Sequence, residues 1–116
     1  PLGVRAIEAV AYQAAWIVQR QGELAGDRVD GLHMIGAALH RCSQWARIKA
    51  TLAGSRTTLL RDSEPVATAA ARLALFRCGL ADDAALPAAP VLPVHDLIEV
   101  YQRRLDAFIS SARRGD

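Results

Sequence analysis

The stretch GDRVDGLHMIGAALHRCSQW, residues 26–45, gathers most of the side chains that could do chemistry: Arg28, His33, His40, Arg41 and Cys42. Imidazoles move protons or ligate metals, and guanidinium groups hold phosphates and carboxylates. Spacing decides which of these is open to them. His33 and His40 are seven positions apart, roughly 10 Å along a helix axis, too far to share a metal ion bound at about 2 Å. On a helix they make a polar face with Gln44 and Arg47. His95, Asp96 and Glu99 cluster at the start of the last segment, and His95 and Glu99 have an i,i+4 spacing that metals use. Two ligands from one turn do not complete a site, and acids in a first turn serve the helix dipole. No metal and no cofactor is expected.

Arg28 and His33 have an Arg-x4-His spacing that resembles the ribonuclease motif of HEPN domains, which are small helical bundles. The resemblance covers these two residues. On an unbroken helix they would stand about 140° apart, so they can meet one phosphate only if Arg28 lies in a loop and Gly31 breaks the chain. The resemblance implies a small helical nuclease or nucleotide-binding domain using Arg28 and His33, the alternative to the reading reached below.

Other chemistries find less support. Cys42 and Cys78 lack CxxC pairing and read as small buried apolar side chains. Fourteen basic residues, all Arg except Lys49, are offset by 12 acidic ones to a net charge of +2, which is no polyanion-binding signature. Arg103, Arg104, Arg113 and Arg114 form a basic end and are the candidate nucleic-acid contacts, but no aromatic residues interleave with them as a stacking platform requires. A helix-turn-helix at Gly79 would be broken by Pro87 and Pro90. There is no apolar run long enough for membrane insertion and no signal-peptide pattern, so a cytoplasmic location is expected.

The elements that must position these groups read as helices. Residues 4–22 place Val4, Ile7, Ala11, Ala14 and Val18 on one stripe. After a polar loop, a second helix is expected from Gly31, capped by Asp30 and stopped by Gly54. One of its stripes holds Leu32, Ile35, Leu39, Cys42 and Ala46; a second holds Met34, Ala38, Arg41, Trp45, Ile48 and Leu52. So wide an apolar arc means more than one neighbour. SRTTLLRD reads as a short helical segment. A helix then starts at Asp62 or Ser63 with Pro65 in its first turn, repeats Val66, Ala69, Ala70, Leu73, Phe76 and Leu80, and ends at Gly79. LADDAALPAAPVLP is an extended surface connection. Residues 94–112 form a continuous last helix, with Leu97, Ile98, Tyr101, Leu105 and Phe108 on its apolar face and Glu99 and Arg103 paired on the other.

No segment alternates with a period of two. The expectation is therefore an all-α fold, a compact bundle of four main helices plus one short helix, with 52% hydrophobic residues sufficing for a core. Residues 1–3 read as the remnant of a cleaved expression tag. Residues 4–116 read as a single helical domain excised from a longer protein. The function expected is a noncatalytic protein-interaction or dimerisation domain of a larger bacterial-type protein, most simply a homodimer. Its interface would use Tyr12 and Trp16, which lie off the first stripe, with Met34, Trp45, Ile48 and Leu52 of the second helix.

Overall fold

The computed structural model describes residues 2–80 and 84–115. Pro1 of the leading tripeptide, 81–83 of the proline-rich connection and Asp116 lie outside the described residues. Helix α1 runs Leu2–Ala25, α2 Ala37–Arg41, α3 Ser43–Ala53, α4 Pro65–Arg77 and α5 Ile98–Arg114, the last preceded by a 3-10 turn at His95–Leu97. Between them lie strands β1 (Gly31–Met34), β2 (Arg56–Leu60) and β3 (Ala88–Pro90).

These strands correct the all-α bundle. They form a mixed sheet of order β1-β2-β3, with β1 parallel and β3 antiparallel to β2. The segment expected as one helix over residues 31–52 is thus a strand and two helices. Gly36 stands at φ 120, a conformation that L side chains rarely adopt, and it ends the strand. Cys42 at φ −126, ψ 82 then breaks α2 from α3. Asp30 therefore precedes a strand and caps no helix.

SRTTLLRD contains β2 rather than a helix. Its β-branched Thr57 and Thr58 suit a pleated strand. Leu32 and Met34 of β1 stand opposite Thr57 and Leu59 of β2 on the face turned to α2 and α3. His33 and Thr58 stand opposite each other on the other face. Proline confines β3 to the sheet edge: the ladder uses the Val91 N–H, which donates to the Thr57 carbonyl at 2.9 Å, and the Pro87 carbonyl, which accepts from Arg61 at 2.8 Å.

Helix α3 is the centre of the molecule. On one side, Ile48 and Leu52 join Ala11 and Tyr12 of α1 and Tyr101 and Leu105 of α5 in one apolar cluster. On the other, Ala46 joins Met34 and Leu39 against the sheet. Trp45 packs on both clusters. The wide apolar arc is thereby explained, its second neighbour being a sheet. Gly54 ends α3 in the left-handed conformation, as its position suggested. Thr51 binds the incoming chain: its hydroxyl accepts from the Val94 N–H at 3.0 Å and donates to the Arg47 carbonyl at 2.7 Å.

Helix α4 has Pro65 in its first turn, as expected, but its N-cap position is Glu64 rather than Asp62 or Ser63. Asp62 organises that start, accepting from the Glu64 amide at 2.8 Å and from the Thr68 hydroxyl. At the other end Gly79, at φ 72, closes a Schellman motif in which the Leu80 N–H reaches the Leu75 carbonyl at 2.8 Å and the Gly79 N–H reaches that of Phe76 at 3.0 Å.

Candidate functional site

Helix α1 is 24 residues long, about 36 Å, and α3 and α5 cover only part of it. Its first half is fastened by Glu8, whose carboxylate accepts from the Tyr101 hydroxyl at 3.0 Å and from Arg104 at 3.3 Å. Beyond Tyr12 the inward face becomes Ala14, Ala15 and Val18. Side chains this small do not fill the space toward β1 and α3. A cavity of about 740 Å³ remains, bordered by α1, the loop after it, β1, Leu39 and the end of α3. That volume lies in the range of small-molecule sites.

The polar groups bordering it come from separate elements. Lys49, the sole lysine, enters from α3. Its side chain lies over the indole of Trp45, Nζ 5.2 Å from the ring centroid. Burial lowers its pKa from the ordinary lysine value. Among the described residues no carboxylate forms an ion pair with it. Arg28 and Asp27 border the cavity from the loop, where Asp27 accepts the Arg28 amide at 2.7 Å. Glu23 is held by Arg20 at 2.5 Å. The cavity therefore combines apolar walls, one half-buried amine without a counter-ion and a rim of mixed charge.

Arg28 and His33 do border the same cavity, Arg28 from a loop as their spacing required. His33, however, stands on β1 and shares a 2.7 Å hydrogen bond between its Nδ1 and the Thr58 hydroxyl. His33 thus lies on a strand and not at the start of the helix expected from Gly31. His40 lies on α2 and donates through Nε2 to the Leu60 carbonyl at 2.7 Å, so the two imidazoles do not share a helix face. His95, Asp96 and Glu99 are exposed, and no group of three or more potential metal ligands occurs among the described residues.

The residues expected at a protein interface lie mainly inside the chain. Tyr12, Met34, Ile48 and Leu52 are buried, and Trp16 and Trp45 half-buried, with both indole N–H groups enclosed and without a hydrogen-bond partner. Phe108 receives Trp16 edge-on, ring centroids 6.4 Å apart. Of the C-terminal arginines, Arg104 is committed to Glu8 and lies over the Tyr101 ring; Arg103, Arg113 and Arg114 are exposed along α5. No helix among the described residues is long and apolar enough to cross a membrane.

An apolar surface does exist, on α4. None of its side chains is buried. Thr68 and Arg72 turn toward the segment Ala84–Pro87, whereas Val66, Leu73 and Phe76 are 80%, 58% and 67% exposed. The helical repeat of these residues expected from the sequence is present on α4, but it lies exposed. Lys49 was passed over altogether, though its place four residues after Trp45 marks it.

The chain is thus a mixed α/β domain with an apolar-walled cavity of mixed charge and a helix, α4, whose apolar side chains are exposed. No protein-family model matches it, no curated protein matches it, and no solved structure matches it.

Proposed function

We propose that this chain is a protein-interaction domain that self-associates through α4, two copies pairing their helices antiparallel about a two-fold axis. The observation that carries this reading is the bare stripe Val66, Ala69, Leu73, Phe76, spaced 3-4-3 like a coiled-coil seam. The stripe is self-complementary. With the axis level with residue 71, Val66 faces Phe76 of the second copy and Ala69 faces Leu73, a smaller side chain against a larger one at each level. The same register sets Glu64, before the helix, beside Arg77 in the other copy's last turn.

Surface area supports a partner of this kind. A compact monomer of 12.5 kDa exposes about 6,200 Å², whereas this chain exposes 8281 Å². The excess, about 2,000 Å², is more than the ~800 Å² each side contributes to a standard interface. Both cysteines are free, Cys78 exposed and Cys42 half-buried, rather than the buried pair expected from the sequence.

Sedimentation equilibrium tests the proposal. One helix pair about 20 Å long makes a small interface, so the mass should climb from 12.5 kDa toward twice that across the micromolar range. Leu73→Asp and Phe76→Glu, both at exposed positions, should hold the chain monomeric without loss of helical circular dichroism. A wild-type chain that stays monomeric to near-millimolar concentration would overturn the reading, as would a dimer indifferent to both substitutions.

A further inference from the structure

The cavity beside α1 is separate from the α4 stripe, and its chemistry points to a different kind of occupant. We propose that it binds a small amphipathic carboxylate, the anionic head on Lys49 and the apolar body along Ala14, Ala15, Val18 and Leu39.

The lining selects that class in three steps. Its walls are mostly alkyl groups, and an apolar ligand body gains by leaving water for them. Lys49 then requires an anion. Lys49 lines the cavity, its Nζ lies 5.2 Å from the Trp45 ring centroid, and it forms no ion pair among the described residues, so its partial burial carries a desolvation cost that a carboxylate would offset. Burial lowers its pKa, and a bound anion would raise it again. Finally the rim sets the size of the charge. Glu23 and Asp27 border the same cavity as Arg28 and Lys49, so fixed positive and negative charges are equal in number. A polyphosphate would meet two carboxylates as well as two cations; a single carboxylate can take Lys49 and leave the acids to their own partners, Arg20 and the Arg28 amide. A nucleotide is the ligand this rim disfavours.

Decanoate is a suitable probe below its micellar concentration, with decanol and decyltrimethylammonium as neutral and cationic counterparts. Trp45 lies against Lys49, so its fluorescence should report occupancy. Alanine and valine methyl resonances should locate the ligand at Ala14, Ala15 and Val18. Decanoate should bind at least roughly tenfold more tightly than decanol, the scale of one charge-assisted hydrogen bond, and the cation should not bind. Lys49→Met should remove that preference while leaving decanol binding in place; Lys49→Arg should keep it within about threefold of wild type. Should Lys49→Met not fold, Arg28→Gln on the exposed loop decides instead, weakening decanoate by about threefold and flattening its salt dependence through lost rim potential. Leu73→Asp should leave binding unchanged, because α4 takes no part. Equal affinity for decanoate and decanol would overturn the proposal. So would no binding of decanoate, indifference to every Lys49 and Arg28 variant, or shifts confined to α4.

Discussion

Tyr101 shows how a few atoms hold the helical half together. Its ring is 7% exposed and lies 6.2 Å from that of Tyr12, which in turn meets Phe108 at 5.9 Å. Its hydroxyl donates to Glu8 on α1, tying the first turns of the chain to the last helix. Burial and the hydrogen bond to the Glu8 carboxylate push the phenol up to about 12 from 10.0. A tyrosine whose folded pKa is raised stabilises the fold fully below its unfolded pKa and loses that contribution as pH climbs through the folded value. Stability should therefore fall between pH 10 and 12, as followed by urea denaturation. Tyr101→Phe, which cannot ionise, should be less stable at neutral pH and should show a shallower fall. An identical pH profile in the two proteins would refute the assignment.

At the scale of elements, α3 and α4 have similar lengths and opposite circumstances. Ala46, Ile48, Ala50, Thr51 and Leu52 of α3 are buried, between helices on one side and the sheet on the other. α4 buries none and is attached through its ends and its Thr68 and Arg72 side. Helices gain most of their stability from packing an apolar face, not from propensity. The amides of α4 should accordingly exchange with solvent at least roughly tenfold faster than those at residues 48–52, because local opening there breaks few apolar contacts. Hydrogen exchange at low protein concentration reads this directly. Raising concentration into the self-association range should then slow α4 selectively. Equal protection of α3 and α4 in the dilute monomer would contradict the account.

The whole molecule is more extended than its length requires. A compact domain of 116 residues has a radius of gyration of about 13 Å; this chain has 16.6 Å and extents of 52 × 34 × 26 Å. The expected compact bundle is therefore corrected in shape as well as in class. Small-angle scattering extrapolated to infinite dilution should give a radius near 16.6 Å for the monomer, calculated from its Cα positions. A value near 13 Å would mean that α4 folds back on its own chain and would remove the surface on which association is proposed. The Leu73→Asp variant should give the same radius as the dilute wild type.

Local interactions made much of this chain legible from its sequence. The 3.6-residue repeat marks α1, α4 and α5; Pro65 fixes the start of α4, and Gly54 and Gly79 the ends of α3 and α4, because each acts through its own backbone and nearest neighbours. The wide apolar arc read over residues 31–52 belongs to three elements, and only its part on α3, Ala46, Ile48 and Leu52, faces two neighbours across one helix. What those neighbours are was decided by tertiary structure. β1 and β2 are four and five residues long, too short to display alternation alone. Leu32 and Met34 become an inward face only beside Thr57 and Leu59, through a parallel pairing that joins residues 25 apart. The 3-10 turn before α5 begins where the Val94 N–H is held by Thr51, 43 positions away. The functional surfaces depend on the same distant facts. A stripe of Val66, Leu73 and Phe76 reads alike whether buried or bare, and Lys49 becomes notable only where the small side chains of α1 leave a hollow beside it. Periodicity tells a side chain which face it shares; only the assembled chain determines what, if anything, stands opposite.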